Sequence, residues 1–383
     1  MTTHLHILQL EEYDPIRFLK WWIANPLVFK LQGKKPLVWT PKAKLIYALS
    51  GGFWPLMFLA LLILKPYEII NRKILKDKLR NKIVKLKQGG LKVIAISGSY
   101  GKTSVKEYLY QILKTKYKVL RTPGNYNTLF GIAKVVDLEL DETFDYFICE
   151  MGAYKRGEIS ELCDMVKPDY GILTGINEQH LERFGNIENT IKAKFELVEF
   201  VKDHSNLVLN FGNELVKSHA PEGVVIYGQG KYKHPQDQNI EGAIKMAKIL
   251  GVVKIVNEVV TPLHRLSVTR RDKMTIIDDA YSSNVDGFKK AVEYLKTFEG
   301  WRVIVTPGIT ELGKETGRIH QELGRLLKGL DQVILVGNNE RTRGLKLGVG
   351  ENVEYVDKVG EAMGKVQKTE ATILFENDLP DNY

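Results

Sequence analysis

From Lys92 onward the chain alternates between two hydrophobic periods. Short apolar, β-branched runs read as buried strands: KVIAIS (Lys92–Ser97), DYFICE ending in Glu150, and the run from Tyr170. Between and after them stand stretches with helical spacing, such as Val105–Leu113 and Asn239–Val252. Strands of four to six residues separated by helices are the pattern of a mainly parallel sheet covered by helices on both faces. The alternation starts again after residue 261, with TIID, a helix over Gly287–Thr297, RVIVTP, a helix over Thr316–Leu330, QVILVG, VEYV, a helix over Val359–Gln367, and ATILFE. The pattern predicts two successive α/β domains, 91–260 and 261–383, the second a Rossmann-like, doubly wound one.

The first ninety residues follow a different rule. Between Lys44 and Lys65 there is no charged residue, and Leu45–Leu64 is about long enough to cross a bilayer as a helix. Gly51, Gly52 and Pro55 lie inside the run, so a kinked or re-entrant helix and a buried soluble helix both stand beside the spanning one. Next, Leu75, Leu79, Ile83 and Leu86 recur at helical spacing among many Lys and Arg. This is either a basic amphipathic helix on a membrane surface or a solvated helix packed on the next domain. Upstream, Phe18–Phe29 has paired tryptophans suited to an interface but is too short to span.

Charge sharpens this division. The net charge of +9 is the sum of two unequal parts. Residues 1–90 hold 16 Lys/Arg against 5 Asp/Glu, whereas residues 91–383 hold 39 against 41. A nucleic-acid enzyme carries its basic patch on the folded body, so nucleic acid is set aside as a partner. A basic extension beside an apolar run points to anionic lipid and to the cytoplasmic face of a membrane. The two cysteines, Cys149 and Cys163, fit neither a disulfide framework nor a zinc spacing, which agrees with a reducing compartment.

The chemistry enters after the strand Lys92–Ser97. GSYGKTS (Gly98–Ser104) follows at once and opens a helix, the context of a phosphate-binding loop. Gly98 and Gly101 let backbone N–H groups approach phosphate oxygens, with Ser99 and Ser104 in the same loop, and the helix N-terminus adds partial positive charge. Lys102 is positioned to reach the β- and γ-phosphates of ATP, and the Thr103 hydroxyl to hold Mg2+. Glu150 ends an apolar strand, where α/β sheets bind ligands, although by itself an acidic residue at a strand end is more often a turn residue.

The loop, with its first glycine three residues before Gly-Lys, is similar to that of Mur ligases and folylpolyglutamate synthases. The resemblance continues in order along the chain. TPGNYNTLFGIAKVVDL (Thr122–Leu138) resembles TxGNxNNxxGxP, with Asn125, Asn127 and Gly131 matching and Thr128 in place of the second paired Asn. DYFICEMGAYKRGEI resembles ExGxxxxGEI, and the stretch Tyr170–Val198 resembles a run that supplies a metal-binding histidine, here His180, and a lysine carbamylated in many relatives, here Lys194. Asn239, Arg265, Asp279, Tyr281 and Asn284 match further positions, the last three in DDAYSSNVDG, where Val285 replaces Pro. TPGITELGKETGRIHQELG (Thr306–Gly324) continues the likeness. Residues 91–383 thus resemble the Mur ligase family, and within it the MurF branch.

The resemblance implies an ATP-dependent carboxylate–amine ligase that works through an acyl-phosphate. It would add an amino acid or a D-Ala-D-Ala-like dipeptide to a cell-wall peptide precursor, with the catalytic domains in the cytoplasm and the chain a monomer. Lys102, Glu150, His180 and Lys194 would be catalytic, with Thr103, Glu150 and His180 at the metal. Gly98 to Ser104, Asn239, Arg265, Asp279 and Asn284 would contact ATP, and Asn125, Asn127 and Tyr281 the substrate. Relatives carry a strand-rich stretch where only a short segment joins Ile226 to Gln236, so a trimmed central domain is expected. Residues 1–90 do not resemble the small domain that holds uridine diphosphate in those relatives. Two other functions remain on these residues: a P-loop kinase or ATPase, and a membrane-tethered nucleotide-binding scaffold.

Overall fold

The structure, a computed structural model, describes residues 2–11, 13–24, 36–124, 126–178, 181–252, 259–280, 284–310, 312–350 and 353–377. Of the sequence expectations, those on Asn125, His180 and Tyr281 lie outside the described residues. The chain divides into two compact units, one up to Lys76 and the other over Asp77–Asp378.

The first unit is helical: α1 (Thr2–Leu10), α2 (Pro15–Ala24), α3 (Pro41–Ser50) and the first part of α4 (Trp54–Gln88). Thr40 caps α3 by accepting from Ala43 N, and Pro41 follows at the first helical position, where its missing N–H costs nothing. Leu5, Leu8, Phe18, Ile46 and Met57 form a small core. The uncharged run Leu45–Leu64 is not one helix. It breaks at Gly51 and Gly52, both at positive φ, which ends α3 in a left-handed turn before α4 begins at Trp54. Helix α4 has 35 residues with Pro66 inside it, and it alone among the described helices is long and apolar enough to cross a membrane by length and composition.

The end of α4 belongs to the second unit. Leu79 and Ile83 are buried, and the lysines and arginine around them bond to the domain that follows. Lys78 pairs with Asp137, Arg80 with Asp164 and Lys87 with Asp169, while Lys82 Nζ donates to Val136 O and Asp137 O. From Asp77 on, this is therefore the helix packed on the next domain rather than a basic face held open for headgroups.

The second unit contains two six-stranded sheets. The first uses β1 (Lys92–Ser97), β2 (Val119–Arg121), β3 (Tyr146–Glu150), β4 (Tyr170–Leu173), β5 (Leu207–Asn210) and β6 (Val225–Tyr227), all parallel, in the order β2-β3-β1-β4-β5-β6. Its helices are α5 (Lys102–Leu113), α6 (Leu129–Leu138), α7 (Glu158–Val166), α8 (Leu181–Phe184), α9 (Ile187–Phe200), α10 (Glu214–His219) and α11 (Asp237–Ile249). The central strands are buried throughout, as the apolar runs required, and α5 and α11 cover one face through Val105, Leu109, Ala243 and Met246.

The second sheet has the order β11-β10-β9-β12-β8-β7, formed by β7 (Ser267–Arg271), β8 (Met274–Asp279), β9 (Arg302–Thr306), β10 (Gln332–Val336), β11 (Val353–Val356) and β12 (Ala371–Glu376). Only β7, an exposed edge strand that the apolar pattern does not reveal, runs antiparallel. Helices α12 (Val285–Lys296), α13 (Thr316–Leu326) and α14 (Glu340–Val349) pack on it, with Phe288, Leu295, Leu323 and Leu345 in the core. The segment Val359–Lys365 is a 3-10 helix rather than an α-helix.

Candidate functional site

Strand β1 ends at Ser97, and the loop Gly98–Gly101 turns the chain into α5. Gly98 has φ +145 and Gly101 φ +80, and a Cβ on Gly98 would collide with Thr174 Oγ1 at the end of neighbouring β4. The loop is pinned on that side: Ser99 N donates to Gly175 O at 2.6 Å, and Asn177 N donates to Ser99 Oγ at 3.3 Å. Lys102 Nζ folds back onto Gly98 O (2.8 Å) and Ser99 O (3.0 Å). Burial pushes its ammonium down to about 8, partly opposed by Glu150, with Arg265 adding to the fall.

At the carboxyl end of β3, Glu150 is almost wholly buried and surrounded by donors. Thr103 Oγ1 donates to its Oε1 at 3.2 Å, Asn127 Nδ2 to the same oxygen at 3.1 Å, and Lys106 Nζ to Oε2 at 3.0 Å. Burial alone would raise this carboxyl, but Lys106 and Lys102 outweigh it and hold Glu150 below the usual carboxylate range. Lys106 is fully buried and also donates to Gly124 O at 2.6 Å, tying α5 to the loop before α6. Asn127 reaches Glu150 because Gly152 leaves room: a Cβ there would lie 2.8 Å from Asn127 Oδ1. Thr128, which departs from the expected Asn, caps α6 by accepting from Gly131 N.

The second sheet closes the other wall. Arg265 Nη2 lies 3.5 Å from Thr103 Oγ1, and Gln236 Nε2 donates to Arg265 O at 3.2 Å. Asn239 Nδ2 donates to Gln236 Oε1, which places the α11 amide beside Gly101. Asp279, at the end of β8, accepts from Leu266 N, and burial drives its carboxyl up to about 7 despite Arg265 nearby. Asn284 caps α12 and also accepts from Asn177 Nδ2 at 2.6 Å. Lys290, from α12, donates to Gln238 Oε1 at 2.6 Å. These groups enclose a cavity of about 250 Å³ that Lys102, Thr103, Glu150, Arg265, Asp279 and Asn284 line together.

Lys194 lies apart from that lining. It is buried on α9 and donates to Ala153 O at 3.1 Å. Burial, followed by the nearby Lys102 charge, drives its ammonium down to about 7, so a large share of it is a neutral amine at neutral pH.

The structure therefore brings Ser99, Gly101, Lys102, Thr103, Ser104, Asn127, Glu150, Asn239, Arg265, Asp279 and Asn284 to one cavity, from stretches up to about 190 residues apart in sequence. Sequence reasoning did not single out Lys106, Asn177 or Lys290. Lys106 had a signal: it stands one helical turn after Lys102, on the side of α5 that also buries Val105 and Leu109. Asn177 and Lys290 had none, because their roles depend on how the second sheet meets the first.

A parallel sheet with a phosphate loop at its switch point, facing a second α/β layer across a polar cavity, defines a two-part nucleotide-dependent enzyme. Comparison with known domains gives the class directly. The Mur ligase middle domain matches residues 96–257, and the Mur ligase glutamate ligase domain matches residues 264–375. The chain belongs to the Mur ligase family. It is 27% identical to UDP-N-acetylmuramoyl-tripeptide--D-alanyl-D-alanine ligase of Escherichia coli, over 70% of this chain and 69% of that protein. The Bacillus subtilis protein of the same name is also 27% identical, over 66% of this chain; the chain spans 64% of that relative's length, slightly under two thirds. Among solved structures, MurF from Acinetobacter baumannii superposes with a TM-score of 0.68 at 25% identity, covering 80% of this chain and 77% of that one. MurF from Thermotoga maritima in complex with ADP has the same fold, with a TM-score of 0.72 at 24% identity and 80% coverage of each.

Proposed function

We propose that this Mur ligase uses ATP to join an amine to a carboxylate, adding D-Ala-D-Ala or a similar dipeptide to a cell-wall peptide precursor. A single observation carries the reading. Lys102, Thr103 and Glu150 of the first sheet share one cavity with Arg265, Asp279 and Asn284 of the second. A carboxylate is a poor electrophile, and ATP makes it reactive: its oxygen attacks the γ-phosphorus, ADP leaves, and an acyl-phosphate results. The amine then attacks the acyl carbon and phosphate departs.

Each residue has a part in that sequence. Lys102 and the loop amides hold and neutralise the β- and γ-phosphates. Arg265 brings a second cation from the other wall. The oxygens of Thr103 and Glu150, 3.2 Å apart with Glu150 kept ionised, suit Mg2+, which takes one or two protein oxygens beside those of phosphate. When bound, Mg2+ offsets the negative charge that gathers on the transferred phosphoryl group. Lys194 has the neutral amine that reaction with carbon dioxide requires, which supports the carbamate expected from the resemblance. Asn127, which donates to Glu150 at 3.1 Å and lines the same cavity, is the candidate contact to the peptide substrate expected from the resemblance.

Helix α4 and the exposed apolar residues of the N-terminal unit support placement on the cytoplasmic face of a membrane, in contact with anionic lipid. A high-salt wash of membranes checks this, because salt screens basic contacts and leaves apolar burial in place. The chemistry is tested by following ADP and phosphate release while cell-wall peptides and D-Ala-D-Ala are offered singly and together. Release that needs both carboxylate and amine, with an amide product, supports the ligase; equal release without the amine makes the chain a kinase or ATPase.

A further inference from the structure

Between Leu56 and Ile74, helix α4 leaves eight large apolar side chains exposed. Leu56, Leu59, Ile63, Tyr67, Ile70 and Ile74 are each between 44% and 61% exposed. Their spacing of three and four residues puts them on one face of the helix, in a stripe about 27 Å long at 1.5 Å per residue. Leu62 and Ile69 are 71% and 59% exposed beside it, and Leu45, Leu49 and Phe53 extend the apolar surface across the α3–α4 turn. To one side of the stripe, Met57 and Ala60 face the core of the unit.

Three observations decide how a bilayer would take this surface. First, the longest uncharged stretch of α4 is Trp54–Leu64, 11 residues or about 16 Å of helix, roughly half a hydrocarbon core. A helix continued across the membrane would carry Lys65, Glu68, Arg72 and Lys73 into hydrocarbon. Second, the left-handed Gly51 and Gly52 turn the chain between α3 and α4, so the uncharged run is a bent pair of helices. Third, both flanks are basic: residues 1–44 hold 7 Lys/Arg against 3 Asp/Glu, and residues 65–90 hold 9 against 2. A spanning segment has its cationic excess on one side, whereas here both sides carry the cytoplasmic signature.

We infer that the N-terminal unit is monotopic: the α3–α4 turn dips into the cytoplasmic leaflet and the chain on both sides of it stays in the cytoplasm. The inference rests on the membrane reading of the preceding section and deepens it. It also bears on the substrate, since an enzyme seated in one leaflet works beside carboxylates carried on lipid in that leaflet.

Impermeant-maleimide labelling of full-chain variants with one introduced cysteine tests this in right-side-out and inside-out membrane vesicles. Cys149 and Cys163 are both fully buried, so the native background is low. Thr2→Cys and the control Lys328→Cys are expected to label only where the cytoplasmic face is exposed. Phe53→Cys should label from neither face until detergent is added. Labelling of Thr2→Cys from the outside, with Lys328→Cys still inside, would overturn the one-leaflet seat and leave the membrane reading standing. A chain found in the soluble fraction, with Phe53→Cys reactive without detergent or covered by a second copy in a sedimenting dimer, would instead sink the membrane reading itself.

Discussion

Replacing Lys106 by methionine probes the most buried charge at the site. Its ammonium stands 3.0 Å from Glu150 Oε2, and both side chains are almost wholly shielded from water. With an effective dielectric of ~20, two charges at that distance attract by about 5 kcal/mol, from which the cost of drying both must be taken. Methionine fills the space of the lysine stem but leaves the carboxylate with only Thr103, Asn127 and the charge of Lys102. Removing one member of such a pair costs about 3–5 kcal/mol. The carboxylate has one escape, to take up a proton. Its folded pKa lies below the usual range in the wild type, so its favourable contribution is present at neutral pH and lost only as pH falls through that depressed value. In the variant the pKa climbs, and each unit of rise recovers about 1.4 kcal/mol at low pH. Urea unfolding at pH 8 and pH 5 reads both effects. The expected result is a loss of about 3–5 kcal/mol at pH 8 and a distinctly smaller loss at pH 5, with most of the deficit restored when Glu150→Gln is added. A variant within about 1 kcal/mol of wild type at pH 8, or a double variant no more stable than Lys106→Met, would refute the argument.

Lys102→Ala should lower ADP release by about 10²–10³-fold, the scale of losing one charge-stabilising donor, with unfolding little changed; a wild-type rate would remove the phosphate-loop assignment. His320 is buried and neutral: its Nδ1–H donates to Thr316 O, its Nε2 accepts from Ile309 N, and burial holds its pKa down to about 4. The unfolded chain takes that proton near 6.5, so stability is whole above pH 6.5 and falls by roughly 3 kcal/mol as pH drops to 4; His320→Gln should flatten this window, and an unchanged pH slope would contradict it. Asp279 has the opposite sense, because its raised pKa makes the folded state lose stability as pH climbs from about 4 towards 7. Asp279→Asn should therefore raise the unfolding midpoint at pH 8 while slowing turnover, and a lower midpoint there would show that the carboxylate is better compensated than its burial implies.

Most of the second unit was legible before any coordinates. Strands such as Lys92–Ser97 and Ala371–Glu376 fall where their apolar runs stood, because a strand buried on both faces leaves an unbroken apolar signature in the chain. The phosphate loop was legible for the same reason of locality: Gly98, Gly101 and Lys102 act through a turn that they themselves form. Strand β7 was not, since an exposed edge strand has no apolar period to announce it. Neither was the end of α4, where a basic face suited to headgroups is instead occupied by Asp137, Asp164 and Asp169. Charge along a helix gives its sign, while the partner is chosen by whichever surface packs against it.

The sequence by itself thus determined the elements, the loop and the family likeness, all carried by neighbours a few residues apart. Only the tertiary structure decided that Lys106 would be the buried counter-ion of Glu150, 44 positions away, and that Asn177 would bond to Asn284 across the two sheets. Those pairings join residues with no local relation, and they exist because parallel strands connected by helices bring distant strand ends to one edge. Charge enclosed there, away from water, must find its partner among whatever groups the fold delivers.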